Sequence, residues 1–322
     1  MAERGRGRVF WRGPIREVVR AAALVLSVAA PVSAAWADPA PAPARATVPM
    51  SRQIDFTSAV DGHTYRVQIA IPYLPPPKAG YPVLYVLDGD AYFGTFASAA
   101  RLRTIARELE PAVVVGIGYP DGQDDMRVVM ARRDFDLTPT QGTAADLAQT
   151  KALTNVTPTY AGADQFLKVI QTEIKPRVAA AVPVDPARAM LFGHSLGGLF
   201  VLHALFTQPG AFQTWLALSP SIWWDGRVVL KDEASFSSQV ATGKAAPRVF
   251  IAVGAKEQLK PDAFMMVGNA TDLAGRLSGL KGPPGYVVAS KVFDGQTHLS
   301  VPFASANTLL EFALPPTAAP AK

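Results

Sequence analysis

The clearest chemistry in the chain sits in six consecutive residues, Gly193-His194-Ser195-Leu196-Gly197-Gly198. They fit G-x-S-x-G, the pattern in which a serine occupies a sharp turn between a strand and a helix. The turn strains the backbone at the serine and lifts its Oγ above the sheet. A side chain at either flanking glycine would strike the neighbouring strand or helix. A histidine can then reach the exposed hydroxyl, and the chemistry this allows is attack by an activated serine. The surroundings suit the pattern. Arg188-Ala189-Met190-Leu191-Phe192 reads as a short buried strand, and Leu199 to Phe206 is an apolar run of helical length stopped by Pro209-Gly210.

Partners for such a serine follow it in the order acid, then histidine, each at the carboxyl end of a later strand. The chain has four histidines. His63 precedes the serine, His194 belongs to the turn itself and faces away from Oγ, and His203 falls within the following helix. His298 remains, in the loop Asp294-Gly295-Gln296-Thr297-His298 after the last strand, and is expected to be the general base. The acids available between Ser195 and His298 are Asp225, Asp232, Glu233, Glu257, Asp262, Asp272 and Asp294. Glu257 lies just beyond a buried strand, the position of an orienting carboxylate, and is the expected third member. Asp294, in the histidine's own loop, stays open as a second candidate.

An oxyanion needs two backbone N–H donors. One is expected from Leu196, and the other from Gly89 or Asp90 in Asp88-Gly89-Asp90, the loop after an early central strand. Trp223 and Trp224 follow a strand end on the same side and could stack on an aromatic acyl group, or belong to the core. Arg132 and Arg133 could draw in an anionic substrate, or simply be solvated. One usable histidine cannot build a metal site, so neither metal nor cofactor is expected.

Elements that could position these residues recur along the chain. Gln53–Ser58 and Tyr65–Ile71 alternate apolar and polar residues around Asp61-Gly62, an antiparallel hairpin expected at a sheet edge. Val83–Leu87 and Ala112–Gly118 are continuous apolar runs, as in central parallel strands. Further strands are expected at Trp215–Leu218, Arg248–Val253 and Val287–Phe293. Helices are expected near Phe93–Glu108, Gln165–Lys175 (ending at Pro176), Asp262–Leu277 and Val301–Phe312. The stretch 120–160 has no sustained periodicity and reads as an irregular rim over the site. Alternating strands and helices predict an α/β fold, a doubly wound and mainly parallel sheet with antiparallel N-terminal edge strands.

The chain has 322 residues, 49% of them hydrophobic and 18% charged, enough for a sizeable core. Residues 1–37 combine six arginines with the apolar run Ala21–Ala30 and Ala35-Trp36-Ala37, the three regions of a secretory signal peptide. The run is too short to span a bilayer. Removing its six Arg and two Glu takes the formal charge from +5 to +1, which leaves little for a nucleic-acid surface. Cysteine is absent, so the export expected for this chain would proceed without disulfides. The expectation is a periplasmic or secreted protein with no stable membrane association. It would comprise a disordered Pro/Ala leader at 38–50, one domain over 51–315 and a disordered tail at 316–322.

With these residues in view, the sequence resembles the esterase D-like branch of α/β-hydrolases, and within it the enterobactin and salmochelin esterases. The resemblance rests on Tyr81-Pro82-Val83-Leu84-Tyr85-Val86-Leu87-Asp88-Gly89 and Arg133-Asp134-Phe135-Asp136-Leu137-Thr138-Pro139. It continues through Phe192-Gly193-His194-Ser195-Leu196-Gly197-Gly198-Leu199-Phe200 and Leu218-Ser219-Pro220-Ser221-Ile222-Trp223-Trp224, and ends at His298. It implies an α/β-hydrolase fold and hydrolysis of the serine-ester backbone of a catecholate trilactone, a small-molecule substrate that could carry iron. Some members of the group use a Ser–His dyad without a carboxylate. The same branch holds acetyl, feruloyl and S-formylglutathione esterases, so a general short-chain or aromatic ester also fits as substrate. The sequence is compatible, too, with a catalytically silent binding module on a hydrolase scaffold and with an acyl transferase.

Overall fold

The computed structural model describes residues 47–120, 126–154, 159–258 and 264–316. The expected signal peptide, most of the Pro/Ala leader and nearly all of the tail lie outside the described residues. Residues 47–50, assigned above to the leader, belong to the fold. The Ser51 hydroxyl donates to the Val48 carbonyl at 2.6 Å, and Val48 packs against the core.

Eight strands form one sheet in the order β1-β2-β4-β3-β5-β6-β7-β8. β1 (Ser51–Thr57) and β2 (Thr64–Ala70) make the antiparallel hairpin, and β2 continues antiparallel onto β4 (Val113–Gly118). β3 (Tyr81–Val86), β5 (Val184–His194), β6 (Thr214–Leu218), β7 (Arg248–Gly254) and β8 (Val287–Phe293) complete a parallel run with β4. Every residue of β3, β4 and β6 is buried, which is why those segments read as apolar runs rather than alternating ones.

Alternation survives as a choice of face. Leu84, Val86, Val114, Phe192 and Leu218 enter a core with α1 (Gly89–Ile105) and, after the last strand, the helix at Val301–Ala313. Val83, Tyr85, Val115, Leu191 and Ala217 enter the core of the opposite face. There α6 (Leu196–Thr207) is buried from Leu196 through Phe206 and needs no polar stripe.

Two further expectations required correction. The described part of the stretch 120–160 is not irregular: it carries α2 (Met126–Leu137) and α3 (Ala144–Thr154). The face that α2 buries includes Asp134 and Asp136, so apolar periodicity could not reveal it. The helix expected to stop at Pro176 runs through it. α4 (Ala163–Val169) passes into a π turn at Ile170–Ile174 and then α5 (Lys175–Ala181), with Pro176 at the start of the last segment. The wide turn accommodates a ring that cannot donate and would crowd the carbonyl four residues back. The remaining helices are the irregular turn α7 (Trp224–Arg227), α8 (Glu233–Ala241), α9 (Met266–Ser278) and α10 (Val301–Ala313), with a 3-10 turn at Ala255–Glu257.

Candidate active site

The site lies at the carboxyl ends of β5, β6, β7 and β8. β5 delivers Ser195 into the turn before α6 with φ 61° and ψ −117°, a conformation costing about 1–3 kcal/mol that the flanking packing must sustain. A Cβ at Gly193 would collide with the Gly197 carbonyl, so glycine there is a steric requirement of the turn. The strain points Oγ toward His298 instead of into α6.

Ser195 Oγ donates to His298 Nε2 at 2.9 Å, and His298 Nδ1 donates to Glu257 Oε2 at 2.6 Å. Proton placement follows from the chain of bonds. The carboxylate can only accept, so Nδ1 carries the proton and Nε2 keeps a lone pair for the serine proton. The other oxygen of Glu257 is also occupied. Oε1 accepts from Ser219 Oγ at 2.6 Å and from the Gly254 N–H at 2.7 Å. Glu257 is thus buried and fully bonded, not the exposed loop charge that its local sequence permits. Asp294, the second candidate acid, is exposed.

Local packing holds the histidine loop against the acid. The Lys256 N–H donates to the Gln296 carbonyl at 2.9 Å. A Cβ at Gly254 would lie 2.5 Å from that same carbonyl, so glycine there permits the close approach of β7 to the loop. The Ser300 hydroxyl donates to Gln296 Oε1 at 2.8 Å and ties the loop to the start of α10.

His194 completes the floor. Its ring centroid is 4.5 Å from that of His298, and its Nδ1 is 3.0 Å from the Tyr92 hydroxyl. Burial, aided by nearby His298 and Arg133, holds its pKa well below the ordinary value of 6.5, so it stays neutral. Tyr92, which the sequence reading did not single out, is pushed up to about 12, mainly by burial, and remains a phenol.

β3 and β5 are neighbours, with Val86 opposite Phe192 and the Leu87 N–H donating to the Phe192 carbonyl at 3.0 Å. Leu196 opens α6 and Gly89 opens α1. The first N–H groups of any helix lack intrahelical acceptors, so both positions offer donors of the kind an oxyanion requires. Asp90 turns its carboxylate aside, accepting the Tyr119 N–H at 2.9 Å.

The four candidate substrate contacts fare differently. Arg132 and Arg133 lie on α2, not in a polar loop, and both are largely buried. Arg132 bonds Asp61 at 3.3 Å and Asp136 at 3.1 Å. Arg133 bonds Asp88 Oδ1 at 2.7 Å and the His194 carbonyl at 3.3 Å. These bonds fasten α2, through Arg132 to the hairpin turn at Asp61 and through Arg133 to Asp88 and the His194 carbonyl beside the nucleophile. Trp224 is core: its ring is 4.8 Å from Tyr160, and Nε1 donates to Thr140 Oγ1 at 3.2 Å. Trp223 is half-buried, with its ring 4.7 Å from that of Phe264.

The geometry is that of a serine hydrolase, and comparison with known proteins narrows it. A family model described as "Putative esterase" matches residues 58–283. The chain belongs to that esterase family. The esterase is 35% identical over 273 residues to the ferri-bacillibactin esterase BesA of Bacillus subtilis, covering 84% of this chain and 91% of that one. It is 32% identical over 281 residues to the siderophore triacetylfusarinine C esterase of Aspergillus fumigatus, covering 79% of this chain and 90% of the relative. Among solved structures it resembles the BES protein of Bacillus cereus with a TM-score of 0.73 and 32% identity, over 84% of this chain and 97% of the other. This esterase is an α/β-hydrolase that cleaves carboxylic esters.

Proposed function

We propose that this esterase hydrolyses the ester bonds of a siderophore through an acyl-enzyme on Ser195. The observation that carries the reading is the unbroken chain of hydrogen bonds from Ser195 through His298 to Glu257, ending in the two further donors to Glu257. Relatives named for siderophore esters supply the substrate class.

In the first half-reaction, His298 Nε2 takes the Ser195 proton as Oγ attacks the ester carbonyl. The N–H of Leu196 and an N–H of Gly89 or Asp90 hold the oxyanion. The imidazolium then protonates the departing alcohol. In the second, His298 takes a proton from water, hydroxide attacks the acyl carbon, and Ser195 is released with its proton restored. Glu257 keeps the proton on Nδ1 and stabilises the imidazolium. Trp223, on the rim, contributes a face to the substrate. In this reading residues 1–37 act as a signal peptide, supported by six arginines and the short apolar run Ala21–Ala30 before Ala35-Trp36-Ala37, and the reaction runs in the periplasm or outside the cell.

The test is a substrate panel of iron-free and iron-loaded enterobactin and bacillibactin beside p-nitrophenyl acetate, p-nitrophenyl butyrate and methyl ferulate. The reading expects stepwise ring opening of a trilactone, seen by mass spectrometry, with kcat/KM at least about 10²-fold above that for the simple esters. Equal or lower values for the trilactones would mean a general esterase.

A further inference from the structure

The segment Ser219-Pro220-Ser221 brings two hydroxyls to the two ends of the catalytic chain. β6 ends at Leu218, whose carbonyl accepts the Ser195 N–H at 3.0 Å. Ser219 follows at φ 43°, a left-handed backbone uncommon for serine, with its N–H on the Ala252 carbonyl at 2.6 Å. The Ser221 N–H donates back to the Ser195 carbonyl at 3.1 Å. The segment is therefore bonded to the nucleophile's turn in both directions. Ser219 Oγ then reaches Glu257 at 2.6 Å, while Ser221 Oγ lies 3.5 Å from Ser195 Oγ.

Proton direction gives the second contact its meaning. The single proton of Ser195 Oγ is directed to His298 Nε2. In the contact between the two serines, Ser221 can only be the donor. Ser221 is 2% exposed, and Ser195 Oγ is its side-chain partner among the described residues. A separation of 3.5 Å is long for O–H···O, but such bonds in free enzymes commonly tighten as charge develops on the acceptor.

We propose that Ser221 is a further catalytic hydroxyl, which donates to Ser195 Oγ when that atom leaves the acyl carbon. The inference rests on the acyl-enzyme reading above. In deacylation the bond between Ser195 Oγ and the acyl carbon breaks, its electron pair passes to Oγ, and the proton held by His298 Nε2 moves to Oγ. Ser221 keeps its own proton throughout and stabilises the developing pair. In acylation the same donor is of little net use, because it lowers the nucleophilicity of the Oγ whose charge it would stabilise. Deacylation is the step that Ser221 favours, whereas Ser219 acts through Glu257 and is a positioning residue for both steps.

The experiment measures the fraction of enzyme carrying a butyryl group at steady state, by intact mass after rapid quenching of p-nitrophenyl butyrate turnover, together with the rates of both steps. Ser221→Ala should slow deacylation about tenfold and leave acylation within about threefold, so the acylated fraction rises. Ser221→Thr, which restores a donor, should reverse the rise. If Ser221→Ala does not fold, Ser221→Cys keeps the volume with a poor donor and carries the same expectation. An acylated fraction no higher than in wild type, or both rates falling together, would overturn the inference while leaving Ser195 as nucleophile. A wild-type enzyme that turns over the ester without acylating Ser195 would instead overturn the acyl-enzyme reading, and this inference with it.

Discussion

Glu257 and Asp136 are both buried carboxylates, and they differ in what they are bonded to. Glu257 takes the His298 Nδ1–H, a serine hydroxyl and a backbone N–H. Asp136, on α2, faces the Tyr65 hydroxyl at 3.4 Å, the Tyr119 hydroxyl at 3.2 Å and the Arg132 guanidinium at 3.1 Å. Burial pushes the Asp136 carboxyl up to about 7, against the pull of Arg132. The partner decides the use of the charge. An arginine and two phenols seal Asp136 into a structural fastening for the rim helix. The histidine beside Glu257 has a side chain 37% exposed and passes the influence of the carboxylate to a hydroxyl at the surface. A buried acid is therefore functional here by virtue of what it orients, not by how deeply it lies.

That contrast can be broken most forcefully on the catalytic side. Ser195→Ala and His298→Ala should each lower kcat/KM for p-nitrophenyl butyrate by about 10³-fold or more with unchanged Tm. Glu257→Gln keeps the shape and removes the charge, and should cost about 10²-fold or more. Near-wild-type turnover by Glu257→Gln would reduce the site to a Ser–His dyad and erase the distinction from Asp136.

On the structural side the readout is stability. Trp224→Ala should lower unfolding free energy by about 3–5 kcal/mol in urea titrations, because it empties a core position against Tyr160. Trp223→Ala should cost less stability, and its main effect should be a KM a few-fold higher.

Asp136 supplies a pH test of smaller size. Its folded-state pKa of about 7 lies above the ordinary 3.8, so its contribution is fully present below about pH 4 and is lost as pH rises through about 7. Wild type should gain Tm on acidification from pH 8 to pH 6. Asp136→Asn, which has no proton to take up, should gain less over the same interval. A steeper gain in the variant would contradict the burial-driven assignment.

Much of the site was legible because the chemistry confines it to strand ends. The apolar runs at β3, β5 and β7 locate those ends, and the short supply of histidines left His298. Glu257 was readable only as a position, since its burial depends on Ser219 and Gly254 closing around it. The rim was read wrongly for a physical reason. α2 buries Asp134 and Asp136, and the Arg132–Asp136 ion pair, with the buried Thr138 just past the helix end donating to the Asp134 carbonyl, substitutes for an apolar stripe. The same pairing gives Arg132 and Arg133 a fastening role that their local sequence does not show. Tyr92 and Ser221 carry no signal in spacing, because each meets its partner only through the packing of α1 or the bend after β6.

The central claim is that Ser195 is a nucleophile activated through His298, and covalent labelling tests it most directly. Wild type, His298→Ala and Ser195→Ala would be treated with a fluorophosphonate, digested and mapped by mass spectrometry. The account predicts stoichiometric phosphonylation of Ser195 in wild type, labelling slowed by about 10³-fold in His298→Ala, and none in Ser195→Ala. Equal labelling rates in wild type and His298→Ala, or a label on another residue that abolishes ester hydrolysis, would contradict it.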